Sequence, residues 1–133
     1  METKVFVYGT LMSGEGNHAY LDRVARFEGQ ARTTRNYTLY DLGLSPCMCP
    51  DGHDVVHGEV YTVGSNLLAW LDRLEARYYR TQIELESGEP VQVYMLQPYG
   101  RLLRRAVRIE SGDWRKPNKP AGLNRSSGSG GWR

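Results

Sequence analysis

The chain has 133 residues, a length that fits one domain, and 40% of them are hydrophobic and 24% charged, which excludes wholesale disorder. No run approaches the roughly 20 apolar residues that span a bilayer, so a transmembrane protein is excluded, and no signal peptide is predicted. The two cysteines, Cys47 and Cys49, are separated by one residue. We therefore expect no disulfide scaffold and a reducing, cytoplasmic setting.

The net charge of +2 is unevenly distributed along the chain. Residues 115–133 hold five basic residues and no acidic one, whereas residues 1–114 hold 12 basic and 15 acidic residues. The C-terminal segment also contains two Lys-Pro pairs and a serine–glycine run at 126–131, which cannot form a core. We predict a domain at 1–114 and a basic, flexible tail at 115–133. The acidic body argues against a nucleic-acid partner, although the tail alone could contact phosphates weakly.

Hydrophobic and turn patterns predict a small, mainly antiparallel α+β domain, because strands and helices follow one another without regular βαβ alternation. Strands are predicted at residues 4–8, 30–40 and 56–63, and a hairpin at 81–85 and 91–95 around Ser87-Gly88. A short helix is predicted at residues 17–24, and a clearer one begins at Ser65, since leucines recur there at helical spacing. The segment between Tyr40 and Asp54 is predicted to be a loop.

The first candidate for a site is Tyr8-Gly9-Thr10-Leu11, which directly follows the first predicted strand. Glycine at a strand end lets backbone N–H groups approach a ligand closely, and neighbouring N–H groups can form an anion-binding nest. Thr10 adds a hydroxyl. The alternative is a plain strand-ending turn without a ligand.

The second candidate is Glu75, at the end of the predicted helix. It lies four residues after Leu71 and seven after Leu68, which places it on the apolar face. A carboxylate turned towards the core has its charged form disfavoured, which suits a general base near neutral pH. The alternative is an outward Glu75 that pairs with Arg77 or Arg80.

Two further clusters are weaker candidates. The cysteines together with His53 and His57 could form a metal site, but the spacing of the cysteines is tighter than structural zinc requires, so we expect no bound structural metal. Arginines at 101, 104, 105 and 108 would share one face of a helix, or they would be solvated side chains of an irregular strand.

Several short motifs occur in a fixed order: VFVYGTL at 5–11, GNH at 16–18, HGEVY at 57–61, LDRLE at 71–75 and YYR at 78–80. Together they resemble the gamma-glutamylcyclotransferase-like superfamily, including its gamma-glutamylamine cyclotransferase and AIG2-like branches. The resemblance extends from Val5 to about Trp114, and ESGDW at 110–114 is similar to the small bacterial members. One departure is the connection after Glu75, where only Ala76 and Arg77 precede Tyr78.

The resemblance implies an α+β fold with a barrel-like, largely antiparallel sheet around a cavity. The loop from Tyr8 to Leu11 would line one wall and Glu75 the other, and Tyr8 and Tyr78 would close the pocket. The family reaction converts a gamma-glutamyl amide, peptide or amine to 5-oxoproline and a free amine, with no metal or cofactor. Glu75 would be the catalytic acid/base, and backbone N–H groups of Gly9, Thr10 and Leu11 would bind the substrate.

Three functions follow from these observations. The first is a gamma-glutamyl cyclotransferase that acts on a small-molecule amine or amino-acid conjugate. The second is a non-catalytic protein that binds a small metabolite in the same cavity. The third is an interaction protein whose arginines at 101–108 and basic tail bind an acidic partner. The oligomeric state stays open.

Overall fold

A computed structural model describes residues 1–119 and confirms the α+β class. The described part of the chain has one α-helix, α1 (Ser65–Leu74). Its strands are β1 (Glu2–Val7), β2 (Arg26–Arg32), β3 (Tyr37–Asp41), β4 (Pro46–Pro50), β5 (His57–Gly64), β6 (Tyr79–Glu84), β7 (Pro90–Met95) and β8 (Val107–Arg108). No helix within residues 1–119 is long and apolar enough to cross a membrane.

The strands form two sheets. The larger has the order β2-β5-β1-β7-β6, and the smaller has the order β4-β3-β8. Neighbouring strands are antiparallel except β1 and β7, which pair in parallel at Val5 and Gln92. The mainly antiparallel prediction is confirmed, and β1 lies in the centre of the large sheet, so the loop that follows it emerges from the core.

The large sheet curls, in agreement with the barrel-like expectation, but it is not a closed barrel. Its edge strands β2 and β6 approach each other only beyond their ends, at an isolated bridge between Thr33 and Leu85. The amide of Glu86 also donates to the carbonyl of Arg32 at 3.0 Å. Because these contacts do not continue as a ladder, the sheet curls without closing.

Two local predictions are wrong in extent. The strand predicted at 30–40 is interrupted, because Thr33 leaves the large sheet and its hydroxyl accepts a hydrogen bond from the amide of Val56 at 2.9 Å. The helix predicted at 17–24 is only a 3-10 turn at His18–Tyr20. Leu21 is the one deeply buried apolar side chain in this segment, so an apolar stripe that could hold a helix against the core is lacking.

The loop predicted between Tyr40 and Asp54 contains strand β4, which pairs with β3. Cys47, Met48 and Cys49 are all fully buried in it. A strand covered on both faces has no alternating pattern, and its flanking prolines suggest a loop, so the sequence signal was misleading. Residues 1–119 contain no group of three metal-ligating side chains; that the protein binds no metal there stays a prediction.

Helix α1 and the hairpin β6–β7 confirm the predictions for residues 65–95. The helix begins at Ser65, with Gly64 as N-cap instead of Ser65. Leu71 is its fully buried residue, and Leu67, Leu68 and Trp70 pack at the edge of the same core cluster. This packing fixes the end of α1 beside the loop that follows β1.

The arginines at 101–108 do not share a helix face. A 3-10 turn covers Arg101–Leu103, and strand β8 begins at Val107. Arg108 makes a bidentate pair with Asp54, with its Nε 2.7 Å from Oδ2. Proximity in sequence therefore does not make these side chains one surface.

The segment after Trp114 contacts the domain within the described residues. Arg115 donates to the carboxylate of Asp113 at 2.9 Å and to Gln30 at 3.0 Å. The side chain of Asn118 accepts from the amide of Glu110 and donates to the carbonyl of Arg108. The predicted tail, 115–133, thus begins with bound residues, and residues 120–133 lie outside the described part of the chain.

We expect a chain that ends at Trp114 to be less stable by about 1–3 kcal/mol. The carboxylate of Asp113 then loses the charge-assisted hydrogen bonds from Arg115, and the hydrogen bonds of Asn118 are lost as well. A chain that ends at Lys119 keeps those bonds and should unfold at the parental temperature. Thermal unfolding of both truncations checks this. Equal melting temperatures for the chain ending at Trp114 and the full chain would contradict it.

Candidate active site

A cavity lies where the loop after β1, the end of α1 and the start of β4 meet. It has a volume of about 50 Å³ and opens to solvent. Its lining residues are Phe6, Val7, Tyr8, Gly9, Thr10, Leu11, Ser45, Pro46, Glu75, Tyr78 and Tyr94. All six site residues predicted from the sequence thus line one cavity, although they come from segments more than 60 positions apart.

The loop from Gly9 to Leu11 brings free backbone donors to the cavity wall. Within residues 1–119, the N–H groups of Gly9, Thr10 and Leu11 donate no hydrogen bond to a protein acceptor. Unpaired donors in a largely buried loop are uncommon and costly. These N–H groups can therefore donate hydrogen bonds to an anionic or carbonyl oxygen of a ligand.

Gly9 is required by a close contact. A Cβ atom at this position would lie 2.6 Å from Cγ of Pro46 and 2.8 Å from Cδ. The proline ring cannot move aside as a flexible side chain would. The glycine therefore lets the loop and β4 approach each other and shape the cavity.

We expect Gly9→Ala to destabilise the protein by about 1–3 kcal/mol through overpacking and to impair ligand binding in the cavity. Gly16→Ala is the matched control in the same loop, because a Cβ there would have no neighbour within 4 Å. Denaturant unfolding of both variants gives the comparison. Equal free energies of unfolding for Gly9→Ala and Gly16→Ala would show that the contact with Pro46 is unimportant.

The outer side of the same loop is held by Asn17 and His18. The side-chain amide of Asn17 donates to Oγ1 of Thr10 at 2.9 Å. The backbone N–H of Asn17 donates to the backbone carbonyl of Thr10 at 2.8 Å. Nδ1 of His18 lies 3.0 Å from the carbonyl of Leu11. These bonds use the loop's acceptors and leave its N–H donors available.

Glu75 caps the end of α1 and is half-buried on the opposite side of the cavity. Its amide donates to the carbonyl of Leu71 at 2.8 Å, which continues the helical pattern by one residue. No donor within residues 1–119 forms a hydrogen bond with its carboxylate. Burial raises the pKa of Glu75 above its ordinary value, and the positive charge of Arg77 offsets this only in part.

The alternative role for Glu75, as an outward ion-pair partner, is not supported by the contacts. Arg80 pairs instead with Asp72, whose Oδ1 lies 2.8 Å from the arginine Nε. Arg77 forms no ion pair with Glu75; its guanidinium lies 5.8 Å from the ring centroid of Tyr78. The carboxylate of Glu75 is therefore available to a ligand.

Tyrosine rings line the cavity, and the hydroxyls of Tyr8 and Tyr78 form hydrogen bonds within the fold. Tyr8 donates to the carbonyl of Tyr94 at 2.7 Å and accepts from the amide of Met48 at 3.0 Å, which links the two sheets. Tyr78 donates to the carbonyl of Pro46 at 2.9 Å. Burial raises the pKa of Tyr8 and of Tyr78, so both stay protonated near neutral pH.

Sequence reasoning did not assign a role to Glu59, which is fully buried behind the loop. Its carboxylate accepts from the amide and hydroxyl of Ser13 at 2.8 and 2.7 Å, from Tyr61 at 3.0 Å and from Gln30 at 3.1 Å. Arg115 lies 3.7 Å away. Burial alone would raise the pKa of Glu59, but these hydrogen bonds together hold it below its ordinary value. Glu59 thus holds the segment after Leu11 as a buried anion.

Comparison with known proteins shows the family of the chain. A family model described as "Gamma-glutamyl cyclotransferase, AIG2-like" matches residues 5–116. The chain belongs to this family. Glu75, the loop from Tyr8 to Leu11 and Tyr78 all lie within the matched range. The match extends over nearly the whole domain.

Individual relatives cover most of the chain. It is 45% identical to a Vibrio cholerae protein named "Putative gamma-glutamylcyclotransferase", over 86% of this chain and 96% of that protein. It is 37% identical to the gamma-glutamylcyclotransferase family protein YtfP of Escherichia coli, over 84% and 95% of the two chains. The crystal structure of an AIG2-like protein from Mus musculus has a TM-score of 0.68 and 30% identity, over 97% and 98%. These similarities therefore extend over nearly the full length of each relative.

Proposed function

We propose that this protein converts a gamma-glutamyl amine or amino-acid conjugate to 5-oxoproline and a free amine, with Glu75 as the general acid/base. The observation that carries the proposal is the carboxylate of Glu75, half-buried and without a hydrogen-bond partner among the described residues, in the same cavity as the Gly9–Leu11 loop. A base with a raised pKa and a set of unpaired N–H donors are the two groups that this ring closure needs.

The substrate supplies its own nucleophile in this reaction. The α-amine attacks the γ-carbonyl carbon, a new C–N bond closes the five-membered ring, and the original amide C–N bond breaks. Two protons pass in total from the α-nitrogen to the departing nitrogen, so no atom or electron is gained or lost. Glu75 accepts one proton from the α-ammonium group before the attack and returns it to the departing nitrogen. The second proton leaves the ring nitrogen to solvent after the attack, and the released amine takes up a proton from solvent.

Orientation contributes most of the remaining barrier reduction. A γ-glutamyl chain must fold so that its ends approach, and holding it in that conformer can lower a barrier by about 7–11 kcal/mol. The rings of Tyr8, Tyr78 and Tyr94 line the cavity and restrict the conformers that fit. The N–H groups of Gly9, Thr10 and Leu11 would bind the substrate carboxylate or the oxyanion that develops on the γ-carbonyl.

A panel of γ-glutamyl amines and γ-glutamyl dipeptides, incubated with the protein and assayed for 5-oxoproline, tests the proposal. Release of 5-oxoproline with an equal amount of amine is the expected result. If the compounds bind without being converted, the protein is instead a metabolite-binding protein that uses the same cavity.

We also expect the rate to fall on the acid side at a higher pH than an ordinary glutamate would give. The base must be deprotonated to accept a proton, and burial raises the pKa of Glu75, so activity is lost as pH falls through that raised pKa. A profile of kcat/KM against pH measures it. If kcat/KM falls only at or below the ordinary pKa of a glutamate, about 4.3, Glu75 is not the base.

A further inference from the structure

A second groove adjoins the cavity and shares Tyr78 with it. This groove, which we call the arginine groove, has a volume of about 350 Å³ and is lined mainly by Arg77, Tyr78, Tyr79, Tyr99, Arg101 and Leu102. It combines aromatic and aliphatic surface with two guanidinium groups. Tyr99 and Leu102 are 75% and 45% exposed, so a bound group would cover apolar surface that now faces solvent.

The two arginines of the groove are not neutralised by the protein. Within residues 1–119, neither Arg77 nor Arg101 forms an ion pair, whereas several other basic side chains do: Lys4, Arg26, Arg32, Arg80, Arg108 and Arg115. The carboxylate whose charge interacts with Arg77 is Glu75 in the cavity, and the two form no ion pair. Asp72 on α1 is already bound by Arg80 and Tyr94. The guanidinium of Arg77 lies 5.8 Å from the ring centroid of Tyr78, which stabilises it through a cation–π interaction.

The proposed reaction determines which part of a substrate reaches this groove. The departing nitrogen must come within about 3 Å of Glu75 to receive its proton. Whatever that nitrogen carries then extends past Tyr78, the residue that lines both the cavity and the groove. Arg77 follows Glu75 by two residues and lines the groove together with Tyr78.

We propose that the arginine groove binds the leaving group and selects amines that carry a carboxylate and an apolar side chain. The preferred substrates are then γ-glutamyl derivatives of apolar or aromatic amino acids, in preference to γ-glutamyl conjugates of neutral or cationic amines. The carboxylate pairs with Arg77 and Arg101, and the side chain packs against Tyr79, Tyr99 and Leu102. This inference rests on the proposed function.

Two substrates that differ only in the carboxylate test it: γ-glutamyl-phenylalanine and γ-glutamyl-phenethylamine. We expect kcat/KM for release of 5-oxoproline to favour γ-glutamyl-phenylalanine by about fivefold, the effect of one partly solvated ion pair. The preference should fall towards one in Arg77→Gln and also decrease in Arg101→Gln. Arg77→Lys should retain part of it, because it keeps the charge.

The ratio between the two substrates separates this role from an effect on Glu75. Loss of the Arg77 charge changes the pKa of Glu75 equally for both substrates, so this effect cancels in the ratio of their kcat/KM values. Arg73→Gln is the matched control, since Arg73 is exposed near the end of α1 and does not line the groove; it should keep the parental ratio. Conversion of both substrates with a ratio near one, or a parental ratio in Arg77→Gln, overturns this inference alone. Conversion of neither substrate overturns this inference, and it overturns the proposed function as well only when no member of the wider γ-glutamyl panel is converted.

Discussion

Glu75→Gln is expected to lower turnover of γ-glutamyl substrates by roughly 10²–10⁴-fold, the loss typical of a missing general acid/base. The amide keeps the size of the side chain but cannot accept the proton. Stability should stay the same or rise slightly, because a half-buried carboxylate without hydrogen bonds is costly and an amide is less so. Substrate binding should persist through the N–H groups of Gly9, Thr10 and Leu11.

The measurements are the rate of 5-oxoproline release and, separately, substrate binding by calorimetry. Glu84→Gln is the control, because Glu84 is an exposed carboxylate on β6 outside the cavity, and it should keep the parental rate. If Glu75 were only a surface ion-pair partner, its loss would cost at most about 1 kcal/mol of stability and no activity. Turnover by Glu75→Gln at the parental rate would contradict the role of Glu75 as general acid/base.

Glu59→Ala is expected to lower the free energy of unfolding by about 3–5 kcal/mol, a large share of the roughly 5–15 kcal/mol of a typical domain. The substitution leaves the donors of Ser13, Tyr61 and Gln30 without their shared acceptor. It also removes one of the two carboxylates near Arg115, which keeps its pair with Asp113. Because Ser13 follows the Gly9–Leu11 loop, substrate KM should rise as well.

Denaturant unfolding measures the effect, with Glu86→Ala as the control. Glu86 pairs with Arg32 at the surface, where both side chains are about half exposed, so its loss should cost no more than about 1 kcal/mol. The lowered pKa of Glu59 adds a second readout: its stabilisation is present near neutral pH and is lost as pH falls through that lowered pKa. Glu59→Gln should flatten this acid dependence. Equal losses for Glu59→Ala and Glu86→Ala would contradict the buried-anion role.

Local patterns in the sequence predicted the elements whose stability is local. The leucine repeat predicted α1, and the alternation around Ser87-Gly88 predicted the β6–β7 hairpin. In both cases the residues that pack together lie a few positions apart, so their periodicity indicates which face is buried. The apolar position of Glu75 followed from the same helical spacing.

Longer-range features were decided by tertiary contacts. Nothing local in Pro46–Pro50 indicates a strand, because β4 is buried on both faces and its hydrogen bonds go to β3. The break at Thr33 and the open sheet likewise follow from contacts with Val56 and Leu85. Such pairings depend on which segments meet, and a single sequence does not encode that in any short window.

The candidate site shows the same division. By itself the sequence determined which residues were candidates for a site, since Tyr8-Gly9-Thr10-Leu11 follows a strand with glycine at its end and Glu75 lies on the apolar face of a helix. Only the tertiary structure decided that they line one cavity, that the tyrosine hydroxyls are already bonded and that Glu59 supports the loop. The physical reason is that hydrogen-bond partners and desolvation are set by neighbours distant in sequence: Ser13 and Glu59 are 46 positions apart, and their bond exists only once β1 and β5 have paired.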